Sequence, residues 1–189
     1  MKRALCFLLV IFTLVLFSGC NDKTDSSQTR PTVETDASDV DIVKYVKKGT
    51  MPEIEYTLGD DVEKAKSKAI EDKDLEAEQL MEGDEYTTII TNDNVNLIYE
   101  TKNAQKGIQY IVGFGKCYGF DSGTDSNTVS EVMKSAGFNA TLKAIPQNLI
   151  KFVPASSGCE CLSYTISEKS LNFVFDNNYL AATIIYEKG

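Results

Sequence analysis

The sequence has no histidine among its 189 residues. This absence excludes Ser-His-Asp and Cys-His catalysis and the zinc sites that depend on imidazole ligands. Carboxylate chemistry stays open, because the chain has 28 Asp and Glu residues. The acidic clusters lie beside turn or helix-start signals, where helix capping and solvation account for them. These clusters are Asp60-Asp61, Asp84-Glu85, and Asp121 with Asp125.

The N-terminal apolar run is also too short to cross a membrane as a helix. It covers residues 4–17 and is interrupted only by Thr13, whereas a spanning helix needs about 20 residues. A basic Lys2-Arg3 pair precedes the run, and the small residues Ser18-Gly19 lead from it into Cys20. This order is typical of a bacterial lipoprotein export signal. We therefore expect a signal peptide at residues 1–19 and a diacylglyceryl group on the thiol of Cys20.

A lipid on Cys20 predicts where the protein works. An ordinary secretion signal is the alternative, but it would place the bulky Phe17 at a position that usually holds a small residue. Two acyl chains anchor a protein stably, whereas one holds it only marginally. We expect the protein on the extracytoplasmic face of the cell membrane, with the lipid bilayer as its first partner. The polar residues 20–39 that follow are expected to be a disordered tether.

The chain is strongly acidic, with a formal net charge of −9 at pH 7. Such a charge repels the phosphates of nucleic acids, so we expect no nucleic-acid partner. It also repels anionic lipid headgroups. The folded part should therefore stand clear of the membrane that anchors it.

Two regions of the chain match in pattern without a gap at an offset of 76. Residues 86–100 align with residues 162–176, and each region reads as a strand, a short polar turn and a second strand. A third strand is predicted after each, at residues 108–114 and 180–186. The Asp-Asn-Asn sequence at residues 176–178 favours a tight hairpin, because Asn and Asp tolerate left-handed backbone geometry.

A helix signal precedes each predicted sheet unit. Thr128 and Glu131 have the spacing of a capping box in the second unit, and Asp60 and Glu63 have it in the first. Apolar residues then recur at helical spacing in both. We predict an α+β fold, a tandem repeat of a helix followed by a three- to four-stranded antiparallel sheet, with repeats at residues 40–117 and 118–189.

Three further elements are expected outside this common pattern. A helix is predicted from Ser38 to Lys48, ended by Gly49, and a short strand at residues 54–58 follows from alternating apolar side chains. A short helix is predicted at residues 146–152. The charged stretch 72–82 continues the helix of the first unit and offers a few apolar side chains for burial: Leu75, Leu80 and Met81.

The start of the folded part resembles a known family. Residues 41–63, DIVKYVKKGTMPEIEYTLGDDVE, are similar to the beginning of the YjgB-like family of secreted proteins and lipoproteins of Bacillota. Residues 118–187 look like one repeat of the β-lactamase-inhibitor-protein-like fold. The first resemblance implies a helix, a short strand and a second helix at the start of the folded part, and the second implies a helix followed by an antiparallel sheet. The family resemblance implies no catalytic residues, because the family has no established chemistry.

Three cysteines remain after the signal and the lipidation site are set aside. An exported protein can form disulfides, and a bond from Cys117 to Cys159 or to Cys161 would close a loop worth up to about 4 kcal/mol. Three free buried thiols are the alternative. A lone Cys-x-Cys is a weak metal signal, and the Cys-x-x-Cys spacing of redox proteins is absent. We expect neither a metal nor another cofactor.

These observations favour a non-enzymatic binding or interaction module of the cell envelope. Its antiparallel sheets would present a face to an envelope protein. The alternative is a carboxylate-based envelope hydrolase, for example one that cuts glycan. That activity needs two carboxylates facing each other across a groove at about 5–9.5 Å.

Overall fold

An antiparallel sheet of eight strands organises the folded part of the chain. The computed structural model describes residues 36–71, 80–91, 94–154 and 158–188. The strands in chain order are β1 (Leu80–Glu82), β2 (Tyr86–Ile90), β3 (Val95–Glu100), β4 (Tyr110–Gly113), β5 (Lys143–Ala144), β6 (Glu160–Ile166), β7 (Lys169–Asp176) and β8 (Tyr179–Glu187).

The strand order within the sheet is β1-β2-β3-β4-β8-β7-β6-β5. Strands β1 to β4 are neighbours in sequence and in space, and so are β5 to β8. The two meanders join where β4 pairs antiparallel with β8, with Val112 opposite Ile184. Both meanders therefore share one sheet, within a single compact unit from Val33 to Gly189.

Four α-helices accompany the sheet in the described ranges: α1 (Ile42–Lys48), α2 (Val62–Glu71), α3 (Ser126–Ser135) and α4 (Gln147–Ile150). The α+β class expected from the sequence is thus confirmed. The short helix predicted at residues 146–152 is confirmed as α4. None of the helices in the described part of the chain has the length and apolarity needed to cross a membrane.

The first helix is shorter than the sequence predicted. Asp41 accepts a hydrogen bond from the Lys44 amide at 3.0 Å and so caps α1 one residue before Ile42. Gly49 ends the helix as expected, with a φ of 81° that suits glycine. Residues 36–39, assigned to the tether, form a 3₁₀ turn, and Ala37 is buried. The export signal and the rest of the tether lie outside the described residues.

The strand predicted at residues 54–58 is wrong. This segment is irregular and folds back onto the end of α1. The Leu58 amide donates to the Gly49 carbonyl at 2.8 Å, and the Thr50 hydroxyl donates to the Tyr56 carbonyl at 2.5 Å. Tyr56 and Leu58 are both buried. The apolar alternation therefore reflected two buried side chains on an irregular segment that pairs with no strand.

The predicted capping residues are displaced. Asp125, and not Thr128, caps α3: its carboxylate accepts hydrogen bonds from the amides of Asn127 and Thr128 and from the Thr128 hydroxyl. Asp61, and not Asp60, precedes α2 and accepts from the Lys64 amide at 2.9 Å. In both cases the capping carboxylate lies three residues before the amide nitrogen that it accepts from, where it can bond the first free amides of the helix.

The sheet strands agree well with the sequence pattern. The predicted third strands correspond to β4 and β8, and the turn between β7 and β8 has φ values of 50° at Asn177 and 70° at Asn178. These values are those of the tight hairpin expected from the Asp-Asn-Asn sequence. The predicted helical continuation at residues 72–82 ends in β1, where Met81 is 62% exposed and so is not buried as expected. Residues 72–79 of that prediction lie outside the described part.

The core consists of two clusters on opposite faces of the sheet. On one face, called the helical face, the apolar sides of α1, α2 and α3 pack against Leu97, Ile111 and Phe173. On the other, called the outer face, a smaller cluster includes Ile98 and Ile184 with side chains of α4 and its neighbours. The larger cluster accounts for most of the burial that holds the fold together.

Candidate interaction surface on the outer sheet face

The outer face is partly covered by the segment that contains α4. Leu149 and Phe152 of this segment pack onto Val112 and Ile184, at the join between the two meanders. Both flanks of the face remain more accessible, since Thr88 and Asn96 on one side are half-buried and Thr165 on the other is exposed. The outer face is therefore a partly uncovered sheet surface.

Aromatic side chains gather beside the α4 segment. Tyr110 and Tyr186 are opposite each other on β4 and β8, with ring centroids 5.3 Å apart. Tyr86 on β2 makes an edge contact with Tyr110 at 5.8 Å. Phe152 lies against both Tyr86 and Tyr110, at 5.3 and 4.6 Å. We call these four residues the aromatic cluster.

A lysine covers one side of this cluster. The Lys151 ammonium lies 4.1 Å from the centroid of the Tyr86 ring, within cation–π range. It also lies 2.9 Å from a carboxylate oxygen of Glu85, in the turn before β2. Both partners of this ion pair are solvent-accessible, so it orients the side chains more than it stabilises the fold.

A cavity of about 370 Å³ adjoins the cluster where β4 begins and β8 ends. Tyr110 belongs both to the wall of this cavity and to the aromatic cluster, so the two are adjacent. Burial is the main cause that raises the pKa of Tyr110 to about 12, and the hydroxyl is therefore a neutral hydrogen-bonding group at pH 7. The lining residues are Gly59, Lys106, Ile108, Gln109, Tyr110, Glu187 and Lys188.

A second cavity of about 370 Å³ opens at the far edge of the sheet, beside β6. We call it the edge cleft. Its wall is mostly small and polar, and the buried thiol of Cys161 lies at its base, 3.4 Å from the Ser163 hydroxyl. The lining residues are Asn139, Ala140, Thr141, Lys143, Cys161 and Ser163.

Each acidic cluster named from the sequence has at least one carboxylate with a structural partner. Asp60 accepts a hydrogen bond from the Thr57 amide at 2.7 Å, and Asp61 caps α2. Asp125 caps α3, and the pKa of its carboxyl is lowered, chiefly by the hydrogen bond from the Thr128 hydroxyl. These carboxylates stabilise turns and helix starts. Within the described ranges no three Cys, Asp or Glu residues are grouped as metal ligands.

The disulfide expected between Cys117 and Cys159 or Cys161 is not formed in this structure. The thiols of Cys117, Cys159 and Cys161 are reduced and buried. Cys117 belongs to the cluster on the helical face, whereas Cys159 and Cys161 belong to the cluster on the outer face. Because the sheet lies between the two clusters, a bond would require the backbone to move. Burial raises the pKa of the Cys117 thiol to about 12 and that of Cys161 to about 11.

The aromatic cluster was not identified from the sequence. Its tyrosines lie within apolar strands, where an aromatic residue usually signals core packing. Tyr110 and Tyr186 become neighbours only because β4 pairs with β8, and no local pattern in the sequence indicates that pairing.

Comparison of the chain with family models, with curated proteins and with solved structures gave no match.

Proposed function

We propose that this chain is a lipoprotein anchored through Cys20 on the extracytoplasmic face of a cell membrane, and that its folded part is a non-enzymatic binding module. The observation that carries the anchor is the order of the first residues: a basic pair, an apolar run of residues 4–17, then Ser18-Gly19-Cys20. The resemblance of residues 41–63 to the YjgB-like family, which includes lipoproteins, supports the same proposal.

The position of Ala37, the first buried residue in the described part of the chain, supports a linker in the N-terminal part of the predicted tether. Ala37 packs in the core, so the polar stretch between it and Cys20 separates the lipid from the fold. As a coil this stretch would span roughly 20–25 Å. The distance suffices to keep an acidic domain away from anionic headgroups.

The outer face supports the binding role. Its three tyrosines are only half-buried, and tyrosine is common in interaction surfaces because it combines apolar area with a polar tip. The adjoining cavity adds two lysines, Lys106 and Lys188, and a carboxylate, Glu187. Such a mixed surface is suited to an envelope partner with both apolar and charged groups.

We also propose that the sheet is built from a tandem repeat. Strands β2 and β6 have the same place in their meanders, as do β3 and β7, and these are the strands that match at the offset of 76. Helices α2 and α3 precede the two meanders in the same way. The repeat accounts for the symmetric strand order without invoking two separate domains.

The anchor is tested by replacing Cys20 with Ser. We expect this variant to lose the diacylglyceryl group and to leave the membrane fraction, as read by mass spectrometry of the N-terminal peptide and by fractionation. Cys6→Ser is the matched control, because Cys6 lies in the same N-terminal segment but within the apolar run. A Cys20→Ser protein that stays lipidated and membrane-bound would contradict the proposal.

A further inference from the structure

Strand β6 is paired along only part of its outer edge. It runs from Glu160 to Ile166, but β5 pairs only with Glu160 and Cys161. No other described strand lies next to the remaining length of this edge. The stretch from residue 162 to residue 166, called the free edge, is therefore open to another strand.

The backbone groups of the free edge can be assigned from the register. The Ile145 amide donates to the Cys159 carbonyl at 3.3 Å, so Cys159 directs its backbone groups outward. In an antiparallel sheet every second residue points the same way. Ser163 and Thr165 therefore present their amides and carbonyls at the outer edge, and both residues are solvent-exposed.

The chain that precedes β5 leaves this edge accessible. Ala140 and Leu142 pack against the core cluster of the helical face. Thr141, which would pair with Ser163 if β5 were longer, lies across the edge cleft from it. The ladder is thus interrupted by an open space of about 370 Å³.

The free edge also lacks the usual protection against pairing. Proteins commonly guard edge strands with charged side chains or proline. The opposite edge strand, β1, is only three residues long and ends in Glu82, and Asp84 and Glu85 follow in the turn after Gly83. The free edge has no charged residue, and its exposed side chains are Ser163 and Thr165.

We propose that the free edge of β6 pairs antiparallel with the free edge of a second copy of this chain. The edge is self-complementary: a two-fold axis at Tyr164 sets Ser163 of one copy opposite Thr165 of the other, and the outward amides and carbonyls then bond reciprocally. The same axis brings Lys143, at the end of β5, toward Glu168, in the turn after β6 of the second copy. This opposite-charge contact occurs twice and opposes slipped registers.

The pairing does not depend on the lipid anchor. It is a small contact and gives a weak dimer in solution. Confinement of lipid-anchored copies to one membrane surface would strengthen it through a higher effective concentration. A test without the lipid therefore separates this proposal from that of the anchor.

The test uses the mature chain with Cys20→Ser, studied by sedimentation over a range of concentrations. We expect a reversible monomer–dimer equilibrium. Thr165→Pro removes one outward amide per copy and no bond of the β6–β7 ladder, and it should raise the dissociation constant at least about tenfold. Glu82→Pro is the matched control, because it removes an outward amide from the other edge, and it should leave the equilibrium unchanged.

Hydrogen exchange provides a reading that does not depend on the proline variant folding. The amides of Ser163 and Thr165 should become slower to exchange as protein concentration rises, while the Glu82 amide should not. A protein that stays monomeric at its highest soluble concentration, or edge amides that do not respond to concentration, would overturn the proposal. Protection that requires an added foreign protein would likewise overturn it and would identify the edge as a site for a different partner.

Discussion

At the scale of single residues, the position of Asp125 shows how a carboxylate is used in this fold. Its oxygens accept two amide hydrogen bonds and one hydroxyl hydrogen bond at the start of α3. We expect Asp125→Ala to lower the free energy of unfolding by about 0.5–2 kcal/mol. Glu131→Ala is the matched control, because Glu131 is exposed on the same helix. If urea denaturation showed that the two variants lose the same free energy of unfolding, Asp125 would not be the cap of α3.

The same cap predicts a pH dependence. The pKa of the Asp125 carboxyl is lower in the folded state, so its contribution to stability is present above the unfolded pKa. It is lost as the pH falls below about 4 through the folded value. Asp125→Ala should therefore show a smaller loss of stability in acid than the parent protein, as measured by urea unfolding over that range.

The buried thiols predict an opposite dependence at high pH. Burial raises the pKa of Cys117 from 9.0 to about 12, so folding favours the protonated thiol. This contribution is fully present below pH 9 and is lost as the pH rises toward 12. In urea denaturation over this range, Cys117→Ala should show a smaller decline in the free energy of unfolding above about pH 9 than the parent protein.

The same buried thiols should resist chemical labelling. In the native parent, iodoacetamide should leave Cys117 and Cys161 unlabelled at neutral pH, because both are buried and protonated.

At the scale of elements, Phe152 is one of the buried side chains that hold the α4 segment to the sheet. This ring is buried and contacts Tyr86 and Tyr110. Phe152→Ala should lower the free energy of unfolding by about 3 kcal/mol. Ile150→Ala, at an exposed position on the same segment, should change it by less than about 0.5 kcal/mol. Urea denaturation of the two variants decides the point, and similar effects would argue against the packing role of Phe152.

Elements fixed by local chemistry could be predicted from the sequence. Gly49 ends α1 and the Asn177-Asn178 turn joins β7 to β8, because both depend on backbone conformations that few residues favour. The segment at residues 54–58 could not be predicted, because its alternation came from burial under α1. The aromatic cluster and the separation of Cys117 from Cys161 depend on which strands become neighbours. Long-range packing determines which strands pair, and the local sequence pattern does not indicate it.

At the scale of the whole molecule, the β4–β8 pair makes the two meanders one cooperative structure. Splitting the chain between Lys116 and Cys117 would expose both strands as new edges, with Ile111 and Ile185 on the helical face. We expect neither fragment to fold cooperatively alone, and an equimolar mixture to regain the sheet signal in circular dichroism. Cooperative thermal unfolding of either fragment by itself would show that the halves are independent.

Under the proposed anchor at Cys20, the burial of Ala37 has a mechanical consequence. Force applied through Cys20 would reach the fold first at Ala37 and Ile42, which pack in the helical layer. The last strand, β8, lies in the middle of the sheet, between β4 and β7. A pull from the membrane side would therefore detach α1 from the sheet before it loads any strand pair. Helix α1 would therefore be the first element to detach under force, while the hydrogen bonds between the strands stay intact.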